Sequence, residues 1–297
     1  MLPVKLEKFG FDIVHGCQLR CVGCPNSTLA PKIRHVLPED FAACLDNLDV
    51  AEVKLMRLFN FGEPLLHPDV PGLLRLIPGR SFSVRTVEIS TNAQHHDFAM
   101  LEEIFRTGVL GKLVVSCDGD GTPAEYERLR TPAKWEKLVA FLAKAGELRN
   151  AYAPGVRLHT RTICETDEGR RRWLDTLTPL GWDAEFRVWL TLPGSKDNPS
   201  GREVRAQNGL CEYMQRRTLY VDSDGTVVTC CVHPQAGIFG NLRHEKYSAI
   251  YKGAERTAFL KSLKTGRAAM PVCGRCEERP HRNKLQKLAD RLSGGGR

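Results

Sequence analysis

The sequence predicts an α/β protein built around a parallel sheet, followed by a small cysteine-rich domain. Short apolar runs alternate with helical patterns across residues 1–192, and a stretch rich in Pro, Gly, Ser and Asn follows at 193–209. Eight of the 11 cysteines lie in two groups on either side of that stretch. Repeated strand–helix alternation favours parallel strands joined by right-handed crossovers. An open barrel and a doubly wound sheet both satisfy this pattern.

Six strands and their helices make up the first part of this prediction. The predicted strands are apolar and rich in β-branched residues, and they span 9–14, 53–59, 83–90, 112–117, 156–164 and 185–190. The predicted helices have apolar residues at helical spacing, and they begin at residue 38 and span 69–77, 97–106, 132–148 and 168–177.

The second part begins after the 193–209 segment, which we interpret as a linker. Residues 217–221 and 226–231 flank Asp222-Ser223-Asp224-Gly225, a sequence typical of a β-hairpin turn, and a helix is predicted over 248–263. We therefore divide the chain into a core at 1–192, the linker, a cysteine-rich domain at 210–280, and a basic C-terminal helix and tail at 281–297.

Composition restricts the class of protein but does not identify a binding partner. The chain has 297 residues, 42% of them hydrophobic, and a net charge of +8. That mild excess is compatible with nucleic acid, a membrane surface or an anionic small molecule. The N-terminus lacks the apolar core of a secretion signal, and no apolar run is long enough to cross a membrane. We therefore expect a cytoplasmic location, where cysteines serve metals or catalysis more often than disulfides.

Three cysteines, spaced Cys17-x3-Cys21-x2-Cys24, follow the first predicted strand. Thiolates are soft ligands suited to iron–sulfur clusters, zinc or copper(I). A structural zinc site needs a fourth protein ligand, and the nearest candidates, His15 and His35, do not have the usual spacing. A [4Fe–4S] cluster held by three cysteines leaves one iron open to a substrate or cofactor. We favour the cluster and keep zinc as the alternative.

Polar residues also follow the later strands, where the site of a parallel α/β fold lies. Glu63 comes after the second strand and Asn92 after the third, while Ser116 and Asp118 stand at the end of the fourth. On the fifth strand, His159 is a candidate substrate contact. Arg161 shares its face by the two-residue period and could bind an anionic group.

The cysteine spacing, together with Gly62-Glu63-Pro64 after the second strand, resembles the radical S-adenosylmethionine (radical SAM) superfamily. The resemblance implies a partial (β/α)6 TIM-like barrel in which SAM binds the open iron. In that family an electron from the cluster cleaves SAM, and the resulting 5′-deoxyadenosyl radical abstracts a hydrogen atom from the substrate. A flavodoxin- or ferredoxin-type protein is the implied electron donor.

The resemblance also implies roles for individual residues. Cys17, Cys21 and Cys24 would be the cluster ligands. The implied SAM-binding residues are Gly62, Glu63 and Pro64 for the amino group, Asn92 near the ribose and substrate, Ser116, and Arg130 for the carboxylate. Arg128 competes with Arg130 for its role. Gly23 departs from the family, which commonly has a bulky residue beside the adenine at this position.

The second group of cysteines resembles the SPASM/twitch extension of this superfamily. No cysteine follows Cys276, which matches the shorter twitch form with one auxiliary [4Fe–4S] cluster. The implied ligands are Cys211, Cys230 in Gly225-x4-Cys230, Cys273 and Cys276. Cys231 is the alternative to Cys230, and a four-cysteine zinc ribbon is the alternative to the cluster.

These features predict a radical SAM oxidoreductase that passes an electron from the substrate radical to the auxiliary cluster. The analogy suggests dehydrogenation of a small molecule such as a sugar or an aminocyclitol. A peptide-crosslinking or peptide-epimerising enzyme is the alternative within the superfamily. The alternative from another class is a zinc-stabilised nucleic-acid-binding protein, although no interleaved aromatic residues support a stacking platform for bases.

Overall fold

The computed structural model describes residues 5–194, 200–204 and 206–278. The strands in these residues are β1 (Lys5–Leu6), β2 (Lys8–Phe11), β3 (Val14–His15), β4 (Arg34–His35), β5 (Glu52–Arg57), β6 (Ser83–Thr91), β7 (Leu110–Asp118), β8 (Arg157–Ile163), β9 (Asp183–Arg187), β10 (Thr218–Val221), β11 (Thr226–Val228) and β12 (Ile238–Asn241). The α-helices are α1 (Asn26–Leu29), α2 (Pro38–Asp46), α3 (Val70–Arg75), α4 (Phe98–Arg106), α5 (Pro123–Leu129), α6 (Trp135–Tyr152), α7 (Asp167–Leu177), α8 (Glu212–Gln215), α9 (Tyr247–Lys252) and α10 (Ala254–Thr265). None of these helices is long and apolar enough to cross a membrane.

One sheet runs through both parts of the chain. Its order is β12-β11-β10-β2-β5-β6-β7-β8-β9, and β1 also pairs with β5. Neighbours from β10 through β9 are parallel, whereas β10–β11 and β11–β12 are antiparallel. The predicted α/β class with six parallel barrel strands, β2 and β5 to β9, and a small cysteine-rich domain is confirmed.

The two faces of the parallel sheet differ in polarity. On β8, Leu158, Thr160 and Thr162 are buried, while the alternate residues His159 and Arg161 lie half-buried on the other face. The buried face packs on the helices, as when the Phe11 ring meets Phe41 of α2 with centroids 5.0 Å apart. The other face lines the inside of the partial barrel. Its charged side chains are therefore enclosed by the fold.

Several element boundaries differ from the sequence prediction. The predicted first strand is interrupted after Phe11, and the predicted sixth strand ends at Arg187 rather than at residue 190. The sequence analysis missed α5, which Thr122 caps by accepting the Glu125 N–H. The single helix predicted over 248–263 is two helices divided at Gly253.

The predicted hairpin exists as β10 and β11, and it joins the sheet of the core. Thr218 pairs with Lys8 and Val221 with Phe11, so β10 extends the parallel sheet beside β2. The sequence did not predict this pairing. The described part of the 193–209 segment contains no strand or helix, while the predicted basic helix at 281–297 lies outside the described residues.

Candidate active site

The three-cysteine loop lies between β3 and α1, at the edge of the sheet where the parallel strands end. Its backbone is anchored by Arg20 N–H to Thr131 O, 2.7 Å, and by Val22 N–H to Leu129 O, 2.8 Å. Gly23 has φ +76°, a conformation that L side chains rarely adopt. The backbone at this position therefore favours glycine over the bulky residue common in the family.

The three thiols interact with one another and are largely enclosed. Burial raises the pKa of Cys17 to about 11 and that of Cys21 to about 12, and it also raises the pKa of Cys24. Repulsion between the thiolates adds to this effect. Because metal ligation requires thiolates, binding of a positive centre here is coupled to proton release.

Glu63 joins the second and third strand ends beside this loop. Its buried carboxylate accepts hydrogen bonds from Thr91 Oγ1 at 2.6 Å, Asn92 N at 2.7 Å and Leu65 N at 3.1 Å. Burial raises its pKa to about 7, against the lowering effect of these donors. Pro64 begins the following 3-10 turn and is buried.

Asn92 connects Glu63 to the cysteine loop. Its Nδ2 lies 3.4 Å from Cys17 Sγ and 3.1 Å from Gln18 Oε1. Its Oδ1 accepts the Gln94 N–H at 3.0 Å. The buried amide thus links the third strand end to the first cysteine.

Asp12 is a site residue that sequence analysis missed. Its carboxylate, 1% exposed, accepts the backbone N–H groups of Asn60, Phe61 and Gly62 at 2.6, 2.9 and 3.0 Å. A Cβ on Gly62 would lie 1.6 Å from Val14 O, so this close approach requires glycine. An acidic residue inside the predicted first strand, 9–14, was the only available signal.

Arg130 and Ser116 approach the same edge from α5 and β7. The buried Arg130 guanidinium pairs with Asp118, and its Nε has no hydrogen-bond partner among the described residues. Arg128 instead forms an exposed ion pair with Glu125 at 2.7 Å. Ser116, opposite Arg161 in the β7–β8 register, is half-buried. Arg130 is therefore the one of the two arginines that faces the site.

A cavity of about 340 Å³ lies between the cysteine loop and the C-terminal segment. On one side it contacts Cys21, Cys24 and Arg130, and on the other Cys231 and Val232. Its apolar lining includes Phe61, Ile163, Val188, Trp189 and Leu190. A molecule in this cavity would contact both cysteine groups.

The second cysteine group is brought together in part. Cys273 interacts electrostatically with Cys211 and Cys276. Cys230 interacts with its neighbour Cys231, and burial raises the pKa of Cys230 to about 12. The structure therefore gathers three of the four predicted auxiliary ligands, while Cys230 and Cys231 lie next to each other as candidates for the fourth.

Arg267 is a second residue that sequence analysis missed. It is 1% exposed, and its Nε and Nη2 donate to Cys273 O at 3.2 Å and Cys276 O at 3.4 Å. Its Nη1 is buried and has no partner among the described residues. A buried cation in this position is stabilised by an anionic centre among the cysteines more than by neutral thiols.

The spacing of the ligands distinguishes a cluster from a single ion. In the described ranges, no three Cys, His, Asp or Glu side chains converge as ligands of one metal ion. Zn–S bonds of about 2.3 Å would hold the thiolates within about 4 Å of one another. An iron–sulfur cube binds each thiolate on a separate iron and accepts wider spacing. Thiols that do not converge on one point are therefore compatible with a cluster.

Two solved structures share this architecture. BtrN in complex with AdoMet and 2-DOIA has a TM-score of 0.60 and 16% identity, covering 95% of this chain and 96% of that one. Native anSMEcpe with bound AdoMet has a TM-score of 0.62 and 14% identity, covering 96% of this chain and 95% of that one. These likenesses show the fold alone. No curated protein matches the chain.

Family models give the same result at the level of sequence. The model of the radical SAM superfamily matches residues 12–182, more than half of the chain, and that of the SPASM iron–sulfur cluster-binding domain matches residues 211–277. The first of these domains binds a [4Fe–4S] cluster and SAM, and the second binds auxiliary clusters, so the cofactor prediction is confirmed. The chain therefore belongs to the radical SAM superfamily and carries a SPASM domain.

Proposed function

We propose that the chain is a radical SAM oxidoreductase that dehydrogenates a small molecule. When bound, the cofactors would supply a 5′-deoxyadenosyl radical, which takes one hydrogen atom from the substrate, and an auxiliary [4Fe–4S] cluster, which takes one electron. The second hydrogen would then leave as a proton to solvent, which completes the dehydrogenation. The cavity shared by Cys21, Cys24 and Cys231 carries this proposal. A substrate there is within reach of both cofactor sites, as a two-electron oxidation requires.

The residues of the loop side would hold the SAM cluster and SAM. Cys17, Cys21 and Cys24 are the proposed cluster ligands. The proposed SAM contacts are Gly62, Glu63, Pro64, Asn92, Ser116 and Arg130. The unpartnered Arg130 Nε supports its assignment to the SAM carboxylate, because a guanidinium binds carboxylates through several donors. With glycine at residue 23, Ile163, Val188 and Trp189 are among the apolar cavity residues proposed to pack on adenine.

The residues of the C-terminal side would hold the auxiliary cluster. We propose Cys211, Cys273 and Cys276 with Cys230 as the fourth ligand, since Cys231 lines the cavity instead. Arg267 would support this cluster by fixing the carbonyls of Cys273 and Cys276. A flavodoxin- or ferredoxin-type protein is the proposed reductant.

The size of the cavity favours a small substrate. About 340 Å³ lies near the lower end of the range of about 300–1,000 Å³ typical of small-molecule sites. Because proposed SAM contacts line the same cavity, only part of this volume is left for the substrate. BtrN was crystallised with 2-DOIA, which supports this class, whereas anSMEcpe was also crystallised with a peptide. Two apolar residues of the cavity, Val188 and Leu190, are 50% and 39% exposed. Exposed apolar side chains at the cavity could contact a peptide, so they favour peptide modification as the second candidate.

Iron analysis tests the cofactor assignment. Two clusters should give about eight irons per chain after anaerobic reconstitution, and replacing Cys17, Cys21 and Cys24 together with Ala should leave about four irons and no SAM cleavage. Cys230→Ser should lose the auxiliary iron, and Cys231→Ser is its matched control. Retained SAM cleavage in the triple variant would refute the site.

Substrate trials test the reaction. The reconstituted chain, SAM and reductant should release 5′-deoxyadenosine together with a substrate that has lost two hydrogens. If deoxyadenosine forms together with a crosslinked or epimerised peptide, the result supports peptide modification and refutes small-molecule dehydrogenation.

A further inference from the structure

A cluster of half-buried cations lies inside the partial barrel, and neither cofactor accounts for it. Arg57 of β5, Lys112 of β7 and Arg161 of β8 surround Glu88 of β6, which is 1% exposed. The nitrogen–oxygen distances to Glu88 are 2.9 Å for Arg57, 3.5 Å for Lys112 and 2.6 Å for Arg161. Lys8 of β2 lies within electrostatic range of Arg57, Arg161 and Glu88.

The two guanidinium groups stand side by side. Both approach the same oxygen, Glu88 Oε1, and both lie against the Phe59 ring, 5.5 Å from its centroid for Arg57 and 5.7 Å for Arg161. Both Nε atoms are buried and meet carboxylates as ion pairs without hydrogen-bond geometry, Arg57 Nε at 2.9 Å from Glu88 Oε1 and Arg161 Nε at 4.0 Å from Glu185 Oε2. Asn60 Nδ2 is buried without a hydrogen-bond partner among the described residues. Donors in this region are therefore incompletely used by the acceptors around them.

The charges inside the barrel are also unbalanced. Lys8, Arg57, Lys112 and Arg161 are opposed by Glu88 and Glu185, and Glu185 also pairs with His159 and Arg187. Buried charges are normally paired, since an unpaired one is costly. Burial and neighbouring Arg57 lower the pKa of Lys8 to about 8. Burial and Lys112 likewise lower the pKa of His159. The region lacks negative charge.

The cluster adjoins the candidate active site. Asn60 and Cys231 line the cavity between the two cysteine groups, and Lys8 is within electrostatic range of Cys231. Gly10, two residues beyond Lys8 on β2, leaves the space for Asn60, whose Oδ1 would be 2.8 Å from a Cβ there. A substrate in the cavity could thus extend a charged group toward the cations.

We propose that the substrate carries an anionic group, a carboxylate or a phosphate, which Arg57, Arg161 and Lys8 receive. This proposal rests on the proposed function, because it uses the cavity assigned to the substrate. Arginine pairs bind such groups through fixed forks of donors, and Lys8 adds a point charge. Glu88 and Phe59 hold the guanidinium groups in place before the substrate binds.

Small anions test the site without knowledge of the substrate. Inorganic phosphate and acetate serve as separate probes of the two group types, titrated calorimetrically into the reconstituted, SAM-loaded chain in chloride-free buffer. We expect saturable binding of at least one probe with one site per chain. The tighter probe identifies the group type.

Lys8→Gln is the decisive variant, because Lys8 forms no ion pair with the described residues. Its replacement therefore leaves no carboxylate without an ion-pair partner. Its probe affinity should fall at least tenfold, while its iron content and unfolding temperature stay at wild-type values. Arg161→Gln should lose binding more completely. Arg171→Gln, an exposed change on α7, is the matched control and should bind as wild type.

Failure of this proposal is distinguishable from failure of the proposed function. Iron content and SAM cleavage report the cofactor sites independently of anion binding. Absence of saturable binding by both probes, or equal binding by wild type and Lys8→Gln, would overturn the anion site. A Lys8→Gln variant with a markedly lower unfolding temperature would show that the charge is structural, which would also overturn it.

Discussion

The loop that precedes Glu63 depends on one buried carboxylate, so Asp12→Ala is the most informative single change. Asp12 Oδ1 accepts all three backbone N–H groups of Asn60, Phe61 and Gly62, while Oδ2 adds one contact to Phe61 at 3.0 Å. Alanine would leave three donors without their acceptor. An unsatisfied buried donor costs about 1–3 kcal/mol.

The lower end of that range applies because residues 60–62 are only half-buried. Three donors at about 1 kcal/mol each give about 3 kcal/mol. Burial and repulsion from Asp222 raise the pKa of Asp12 to about 7, so removing the carboxylate also relieves an unfavourable charge above that pH. We therefore expect the free energy of unfolding to fall by about 2–3 kcal/mol.

Asp12→Asn separates the acceptor from the charge. An asparagine Oδ1 in the same place keeps the three main bonds and loses only the second contact to Phe61, so its cost should be about 1 kcal/mol or less. Urea unfolding of the reduced, metal-free chain measures both values, with the exposed Asp175→Ala as control. Equal stability of Asp12→Ala and wild type, or equal losses for the alanine and asparagine variants, would refute the reasoning.

Two further predictions concern Arg267 and Glu63. Arg267→Gln should reduce reconstituted iron from about eight to about four per chain, because the Cys273 and Cys276 carbonyls lose their buried donor. The exposed Arg275→Gln is the control and should retain full iron. Full iron in both variants would contradict the role of Arg267 in supporting the auxiliary cluster. The pKa of Glu63 rises on folding from 4.5 to about 7, so the folded chain binds more protons than the unfolded chain in that interval. Stability should therefore fall as pH rises from 4.5 to about 7. Urea unfolding across this range should show a shallower fall for Glu63→Gln than for wild type, and identical slopes would disprove the contribution of Glu63.

Local sequence features were sufficient to locate the two cysteine groups and to predict the order of the barrel strands. Cys17, Cys21 and Cys24 lie on one short loop, so their spacing alone limits what they can bind. Most of the barrel strands carry apolar or β-branched residues on the face that packs on the helices, which makes them recognisable in the sequence. Glu63 and Asn92 then follow from the rule that sites lie where parallel strands end.

The missed features depend on contacts between distant parts of the chain. Asp12 resembles any acidic residue after a strand until the fold places residues 60–62 around it. Arg267 follows α10, and its guanidinium is buried where it donates to the carbonyls of Cys273 and Cys276. The β10–β2 pairing joins segments that share no sequence pattern. Hydrophobic periodicity reports on the element itself and carries no information about these partners.

The shared sheet explains how two cysteine groups far apart in sequence can serve one cavity. Asp12 N–H donates to Val221 O at 2.9 Å, and His15 Nδ1 lies 3.0 Å from Asp222, so the strand that leads into the first cysteine loop is bonded to the hairpin that leads into Cys230 and Cys231. A flexible linker alone would leave the distance between the groups variable. Because backbone pairing fixes that distance, the 193–209 segment need only connect the two parts. The separation between the two cysteine groups is thus determined by the pairing of β2 with β10.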